Sequence, residues 1–109
     1  NASAVTAIAN DYDYSEIFSR QLQGLAKTGD VLVGISTSGN SANVIEAIKM
    51  ASECGVKSIA LTGQNSSEAG NLADIAICAP STHTPRIQEM HIAIGHTLCE
   101  IAENSLSET

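Results

Sequence analysis

A run of hydroxyl and amide side chains around one glycine is the part of this sequence best suited to chemistry. The run Ser36-Thr37-Ser38-Gly39-Asn40-Ser41, here called the hydroxyl loop, follows a short apolar stretch and precedes a segment with helical spacing. Hydroxyl groups donate to phosphate oxygens, glycine permits close backbone approach, and the first N–H groups of a helix attract anions. The hydroxyl loop therefore predicts a phosphate site that needs no lysine or arginine.

A simpler interpretation of the same segment is open at this point. Ser41 could act only as the N-cap of the following helix, with the residues before it forming a polar turn. The loop has neither the GxxxxGK[ST] pattern of a P-loop nor the GxGxxG pattern of a dinucleotide site. The hydroxyl residues ahead of Gly39, placed at the end of a buried strand, favour the anion site.

Two other polar segments follow predicted strands. Asn10 and Asp11 end an apolar run, and residues 62–67 (Thr-Gly-Gln-Asn-Ser-Ser) end another. Ligands of open parallel sheets bind at the carboxyl ends of the strands, so both segments are expected on the ligand face. Either could also be ordinary turn chemistry, and residues 62–67 are the weaker site candidate.

Polar side chains also interrupt the apolar spacing of the last predicted helix. At 100° per residue, one stripe contains Ile87, Met90, Ile94, Leu98 and Ile101, and a second contains Gln88, Ile92, Gly95, His96 and Cys99. A helix that is apolar on two sides is covered on both, so Gln88 and His96 are expected to be at least half-buried. His96 is either a general acid/base or a satisfied core histidine. His91 is expected at the surface or an interface, and His83 in a loop.

The elements that must position these residues alternate between two hydropathy periods. Strands are predicted over residues 4–9, 31–36, 57–62 and 74–79. Helices are predicted over residues 13–26, 41–54, 66–73 and 85–104, the first opening with a capping box of Asp13 and Glu16. Continuously apolar strands are typical of parallel sheets buried on both faces. The pattern predicts an α/β fold with right-handed βαβ units in a single domain, residues 1–109.

Composition narrows the function classes. The chain has 109 residues, 43% of them apolar, and a formal net charge of −7. That charge argues against nucleic acid or an anionic membrane as partner, because both would be repelled. The sequence shows no apolar run of membrane-spanning length and no signal-peptide pattern. Its three cysteines, widely spaced among apolar neighbours, are expected to be reduced core residues of a cytoplasmic protein.

Two motifs resemble a known family. Residues 35–44 resemble the phosphate loop of sugar isomerase (SIS) domains, and residues 86–91 followed by His96 resemble the last helix of its phosphoheptose isomerase subfamily. The resemblance implies a three-layer, flavodoxin-like sandwich around a parallel sheet. It also implies a cytoplasmic enzyme that isomerises sedoheptulose 7-phosphate to a heptose 7-phosphate for lipopolysaccharide heptose synthesis.

The resemblance assigns roles to individual residues. Phosphate contacts fall on Ser36, Thr37, Ser38 and Ser41, sugar contacts on Asn10, Asp11 and Gln88, and zinc ligation on Gln88 and His96. His96 would also be the general acid/base. The resemblance further implies a homotetramer with its active sites between subunits.

Family members carry a further N-terminal segment, with a strand and the catalytic glutamate and histidine that complete the metal site. This chain is therefore expected to be the C-terminal part of a longer protein and incomplete for activity. Gln88 and His96, about 12 Å apart along an ideal helix, would bind zinc weakly alone. Two other functions remain open. One is a regulator that binds a replication initiator protein, from a branch of the family that has arginine at the position of Ser38. The other is a phosphosugar-sensing module.

Overall fold

Three parallel strands form one sheet, in the order β1-β2-β3, in the computed structural model, which describes residues 1–107. The strands are β1 (Val31–Ile35), β2 (Lys57–Thr62) and β3 (Ile75–Cys78). The helices are α1 (Ala2–Asp11), α2 (Ile17–Leu25), α3 (Ala42–Glu53), α4 (Glu68–Leu72) and α5 (Thr84–Ser107), with a 3-10 turn at Tyr14–Glu16. The predicted α/β class with a parallel sheet is confirmed.

The prediction of a strand over residues 4–9 is wrong, because these residues belong to helix α1. Alanine has the highest helix propensity, and this segment is rich in it. Asn1 caps the helix: its Oδ1 accepts from the N–H groups of Ser3 at 2.9 Å and Ala4 at 3.3 Å. Asn10 and Asp11 consequently lie at the C-terminal end of a helix and not at the end of a strand.

The other predicted elements are present with shifted ends. Asp13 caps the 3-10 turn by accepting from the N–H of Ser15 at 3.1 Å. Glu16 does not complete the expected capping box, since its carboxylate pairs with Arg20 at 3.2 Å one turn later. The helix predicted over residues 66–73 is shorter, at Glu68–Leu72.

Helix α3 packs on the sheet through one apolar face. Val44, Ile45 and Ile48 are buried in one cluster with Ala60 of β2 and Ala69 of α4. Removing a Val or Ile side chain from water contributes about 1.5–3 kcal/mol of stability. This packing fixes the start of α3, where the hydroxyl loop ends, relative to the strand that precedes the loop.

The face of the sheet away from α3 is apolar, but its side chains on β1 and β3 are largely exposed. Val31, Val33 and Ile35 of β1 share that face and are each 43–57% exposed, as is Ile75 of β3 at 56%. Burial on both faces was predicted for all strands. It holds for β2 and is wrong for β1 and β3, because these are the edge strands of this sheet.

The cysteines are unpaired, as expected, but they are not core residues. Cys54 is half-buried, and Cys78 and Cys99 are exposed. Within residues 1–107, no helix combines the length and apolarity needed to cross a membrane.

Three hydrogen bonds between Ser58 and Asp74, each involving a side chain, tie the starts of β2 and β3 together. The Asp74 carboxylate accepts from the backbone N–H of Ser58 at 2.9 Å, and Ser58 is buried. We expect Asp74→Ala to lower the free energy of unfolding by about 1–3 kcal/mol, because a buried donor loses its partner. Urea titration measures this change. Asp30→Ala is the matched control: Asp30 accepts from the N–H of Lys27 at 2.8 Å between exposed residues, so its loss should be smaller. Equal losses would contradict the assignment.

Candidate functional site

Ser36 is the centre of the hydroxyl loop. Its backbone N–H continues the sheet by donating to the carbonyl of Leu61 at 3.0 Å. Its hydroxyl accepts from the N–H of Gly39 at 3.0 Å and lies 2.9 Å from the hydroxyl of Ser41. Ser36 is only 6% exposed. It therefore organises the loop from beneath, whereas Ser38 and Ser41 are exposed to an incoming ligand.

Ser41 lies at the N-cap position, as the simpler interpretation expects, but its side chain does not cap the helix. Ser41 occupies the N-cap position of α3, and its carbonyl accepts the first helical bond from Ile45 at 3.0 Å. Its hydroxyl bonds to Ser36 instead of to the helix, and no side chain within residues 1–107 caps α3. The first N–H groups of α3 therefore keep their capacity to bind an anion, with the positive end of the helix dipole behind them.

Gly39 docks the loop against the start of α4. Its φ is +71°, a backbone conformation that favours glycine. A Cβ at this position would overlap Ser67, the N-cap of α4. The carbonyl of Gly39 accepts from the N–H of Ala69 at 3.0 Å, and the side chain of Asn40 accepts from the N–H of Glu68 at 3.2 Å. The curvature of the loop thus depends on a glycine held by α4.

A pocket of about 230 Å³ lies beside the hydroxyl loop. It is lined by segments that follow all three strands: Thr37, Ser38, Gly63, Gln64, Asn65, Ser81, Thr82, Thr84 and Ile87. None of these residues is charged. The pocket walls thus offer hydroxyl and amide groups, the chemistry that recognises a neutral polyol beside an anion site.

Part of this pocket was missed by sequence reasoning. The segment 62–67, the weaker candidate, does contribute to the wall. Ser81, Thr82 and Thr84 were not singled out, although they follow a predicted strand as the hydroxyl loop does. The rule that ligands bind at the carboxyl ends of parallel strands could have found them.

A larger cavity of about 700 Å³ runs along the open edge of β1, between that strand and α2. Its walls are mainly apolar, with Phe18, Leu22 and Val33 among them. It contains none of the hydroxyl residues of the loop, so it is not the candidate phosphosugar site.

The structure separates the remaining predicted site residues from the pocket. Asn10 and Asp11 are exposed, and the side-chain amide of Asn10 donates to the Asp11 carboxylate at 3.1 Å. Gln88 and His96 are also exposed, so the prediction that they are at least half-buried is wrong for this chain. The second stripe of α5 is uncovered because nothing within residues 1–107 packs over it. None of these four lines the pocket, and their roles stay predictions.

The described residues do not by themselves fit a zinc site. No group of three or more histidine, cysteine, aspartate or glutamate side chains comes together within residues 1–107. Structural zinc takes four ligands, and catalytic zinc takes three from the protein. Gln88 and His96 would supply two, and one of those is a neutral amide.

His91 was expected at the surface or at an interface, and the structure places it in the interior of the chain instead. It is 3% exposed, and its Nε2 lies 2.8 Å from the carbonyl oxygen of Thr62. No local pattern in the sequence predicts this contact, because the acceptor is a backbone atom on a distant strand. His83 is an exposed residue just before α5, as expected for a loop.

Comparison with known proteins places the chain in a family. Residues 1–63 match the SIS domain family. The chain is 54% identical over 107 residues to the phosphoheptose isomerase of Aliarcobacter butzleri, covering 98% of this chain and 57% of the relative. It is 53% identical over 106 residues to that of Thermodesulfovibrio yellowstonii, covering 97% of this chain and 53% of the relative.

A solved structure shows the same fold. The phosphoheptose isomerase of Neisseria gonorrhoeae superposes with a TM-score of 0.89 at 48% identity, over 93% of this chain and 57% of that one. The chain thus spans little more than half the length of the relatives it matches.

Proposed function

The chain belongs to the SIS-domain family, and from that premise we propose that it is the phosphate-binding part of a phosphoheptose isomerase. The observation that carries the proposal is the hydroxyl loop at the start of α3. There an uncapped helix N-terminus meets the exposed hydroxyls of Ser38 and Ser41. Sequence identity of 53–54% to relatives named as phosphoheptose isomerases supports the choice of substrate class.

In this proposal the phosphate of sedoheptulose 7-phosphate is held by the hydroxyl loop. Thr37 and Ser38 lie both in the loop and in the wall of the pocket, so they would join the phosphate site to the sugar site. The sugar chain would occupy the uncharged pocket or extend toward Asn10, Asp11 and Gln88. Dipoles and hydroxyls can hold the phosphate despite the chain's net charge of −7, because their effect is local.

The reaction is an aldose–ketose isomerisation, which moves a proton between adjacent carbons through an enediol. It needs a group that removes the proton and a group that returns it. We assign His96 as a general acid/base, since its imidazole can exchange protons near neutral pH. His96 is exposed on α5 and is therefore accessible to a substrate held against that helix by other parts of the protein.

The proposal extends to the setting of the enzyme. We place it in the cytoplasm, as a supplier of heptose 7-phosphate for lipopolysaccharide, in the form of a homotetramer. The exposed apolar side chains of Ile92 and Ile101 on α5, 60% and 61% accessible, support an assembly through this helix. A zinc ion bound by Gln88 and His96 would require ligands from outside the described residues.

The phosphate site can be tested with the double variant Ser36→Ala, Ser41→Ala. We expect it to bind sedoheptulose 7-phosphate about 10–100-fold more weakly, since Ser36 is buried and the exposed Ser41 hydroxyl supplies one hydrogen bond to a charged group, about 1.5–3 kcal/mol. The fold should persist, because the N–H of Gly39 retains the Ser36 carbonyl at 3.1 Å. Isothermal titration calorimetry on the full-length protein measures the change.

Ser52→Ala is the control for this experiment, since Ser52 is an exposed serine near the other end of α3. It should bind with wild-type affinity. Unchanged affinity in the double variant would remove the hydroxyl loop as the phosphate site. Phosphosugar binding without isomerase turnover in the full-length protein would favour a sensing or regulatory role instead.

A further inference from the structure

Helix α5 is attached to the sheet by two buried side chains. Among its described residues, only Ile87 and His91 are buried, and they lie one turn apart, each 3% exposed. Ile87 packs against Gly63 so closely that a Cβ on this glycine would lie 2.8 Å from the Ile87 Cδ1. Both side chains thus meet the chain where β2 ends and the pocket begins.

The imidazole of His91 donates a hydrogen bond to the backbone. Its Nε2 lies 2.8 Å from the carbonyl oxygen of Thr62, and a carbonyl can only accept, so Nε2 carries the proton. The same oxygen also accepts from the N–H of Ala79 at 3.0 Å. The Nδ1 atom of His91 is buried without a partner among residues 1–107. An unpaired buried acceptor is unfavourable, so hydrogen-bond satisfaction alone does not account for a histidine here.

Thr62 links this bond to both sides of the pocket. Its Cγ2 lies against Gly39 of the hydroxyl loop, 3.2 Å from the position of a Cβ on that glycine. The next residue, Gly63, lines the pocket and approaches the carbonyl oxygen of Thr37, which would be 2.8 Å from its Cβ. A displacement of Thr62 would therefore shift the hydroxyl loop relative to the opposite wall.

We propose that His91 is a positioning residue of the phosphosugar pocket. Its Nε2–H fixes the carbonyl of Thr62, and Thr62 and Gly63 then set the spacing between the hydroxyl loop and the segment after β2. The identity of the ligand in this proposal rests on the proposed function. The linkage itself rests on the contacts of His91, Thr62 and Gly63.

Two amide substitutions test the proposal. Glutamine places its N–H close to the position of the histidine Nε2, whereas the shorter asparagine reaches only the position of Nδ1. We expect His91→Asn to lower kcat/KM for sedoheptulose 7-phosphate about 10–100-fold, because small displacements in an active site have effects of this size. Its Kd for inorganic phosphate should rise about 5-fold, the effect of one lost hydrogen bond, and His91→Gln should restore both values to within about 2-fold of wild type.

Ile17→Val, a substitution of a buried residue at the start of α2, controls for lost stability. It should lower Tm without changing phosphate affinity. Equal effects of His91→Asn and His91→Gln on affinity, or a fall in Tm alone, would overturn the proposal. If His91→Asn does not fold, His91→Gln decides: retained phosphate affinity supports the proposal and lost affinity contradicts it. If the full-length wild-type protein does not turn over sedoheptulose 7-phosphate, the proposed function fails, and the phosphate Kd values alone judge the role of His91.

Discussion

Substituting Gly39 by alanine is expected to weaken phosphosugar binding by at least about 100-fold, because two lost hydrogen bonds to a charged ligand amount to about 3–6 kcal/mol. Two physical effects combine at this position. The φ of +71° disfavours any side chain, and the new Cβ would overlap Ser67. The loop must then move away from α4, and Ser38 and Ser41 move with it. Calorimetry with sedoheptulose 7-phosphate, on the full-length protein, measures the loss.

Gly55→Ala separates backbone strain from the overlap. Gly55 has the same φ of +71°, but the nearest atom to its Cβ would be the Thr28 hydroxyl at 4.0 Å. Gly55 precedes β2, so it lies at the opposite end of the strands from the hydroxyl loop. Both variants should lose stability, and only Gly39→Ala should lose affinity. Adding Ser67→Gly to Gly39→Ala removes the overlap and should restore part of the affinity, since Gly is a tolerable N-cap. Wild-type affinity in Gly39→Ala would exclude this loop from the site.

The sequence was most informative where burial and local chemistry agree. Residues 57–62 were predicted as a strand and form β2, because the apolar residues 59–61 lie in the middle strand of the sheet, which is buried on both faces. The hydroxyl loop was predicted from its residue types and its place between a strand and a helix, and both features are local. The apolar run of residues 4–9 is compatible with either a strand or a helix. The N-cap formed by Asn1 stabilises the helix.

The rest depended on contacts that no local pattern records. Gln88 and His96 were expected to be covered because of their apolar neighbours, but coverage of the second stripe of α5 requires a partner surface beyond residues 1–107. His91 was expected at the surface or at an interface, but it is buried. Its burial follows from the carbonyl of Thr62, a backbone atom 29 positions away. Sequence periodicity can show which residues share a face, but not what that face meets.

Replacing His96 by alanine in the full-length protein is expected to reduce isomerase turnover about 10²–10⁴-fold, the usual contribution of a general acid/base. The structure sharpens this prediction, because His96 is exposed on α5 and makes no described contact that the core depends on. The core-histidine alternative predicts a lower Tm with turnover per folded molecule unchanged. Acid/base chemistry predicts the reverse, so turnover and Tm must be measured on the same preparation.

Two further variants separate proton transfer from packing at His96. His96→Gln keeps a polar side chain of similar size but cannot exchange a proton near neutral pH, so it should be as inactive as His96→Ala. Cys99→Ala alters an exposed residue of the same stripe of α5 and should retain turnover unless this surface acts mainly through assembly. Recovery of activity in His96→Gln would assign His96 to hydrogen bonding or subunit contact. An unchanged oligomeric mass with lost turnover in both His96 variants would exclude a role in subunit contact and leave proton transfer or zinc ligation as its role.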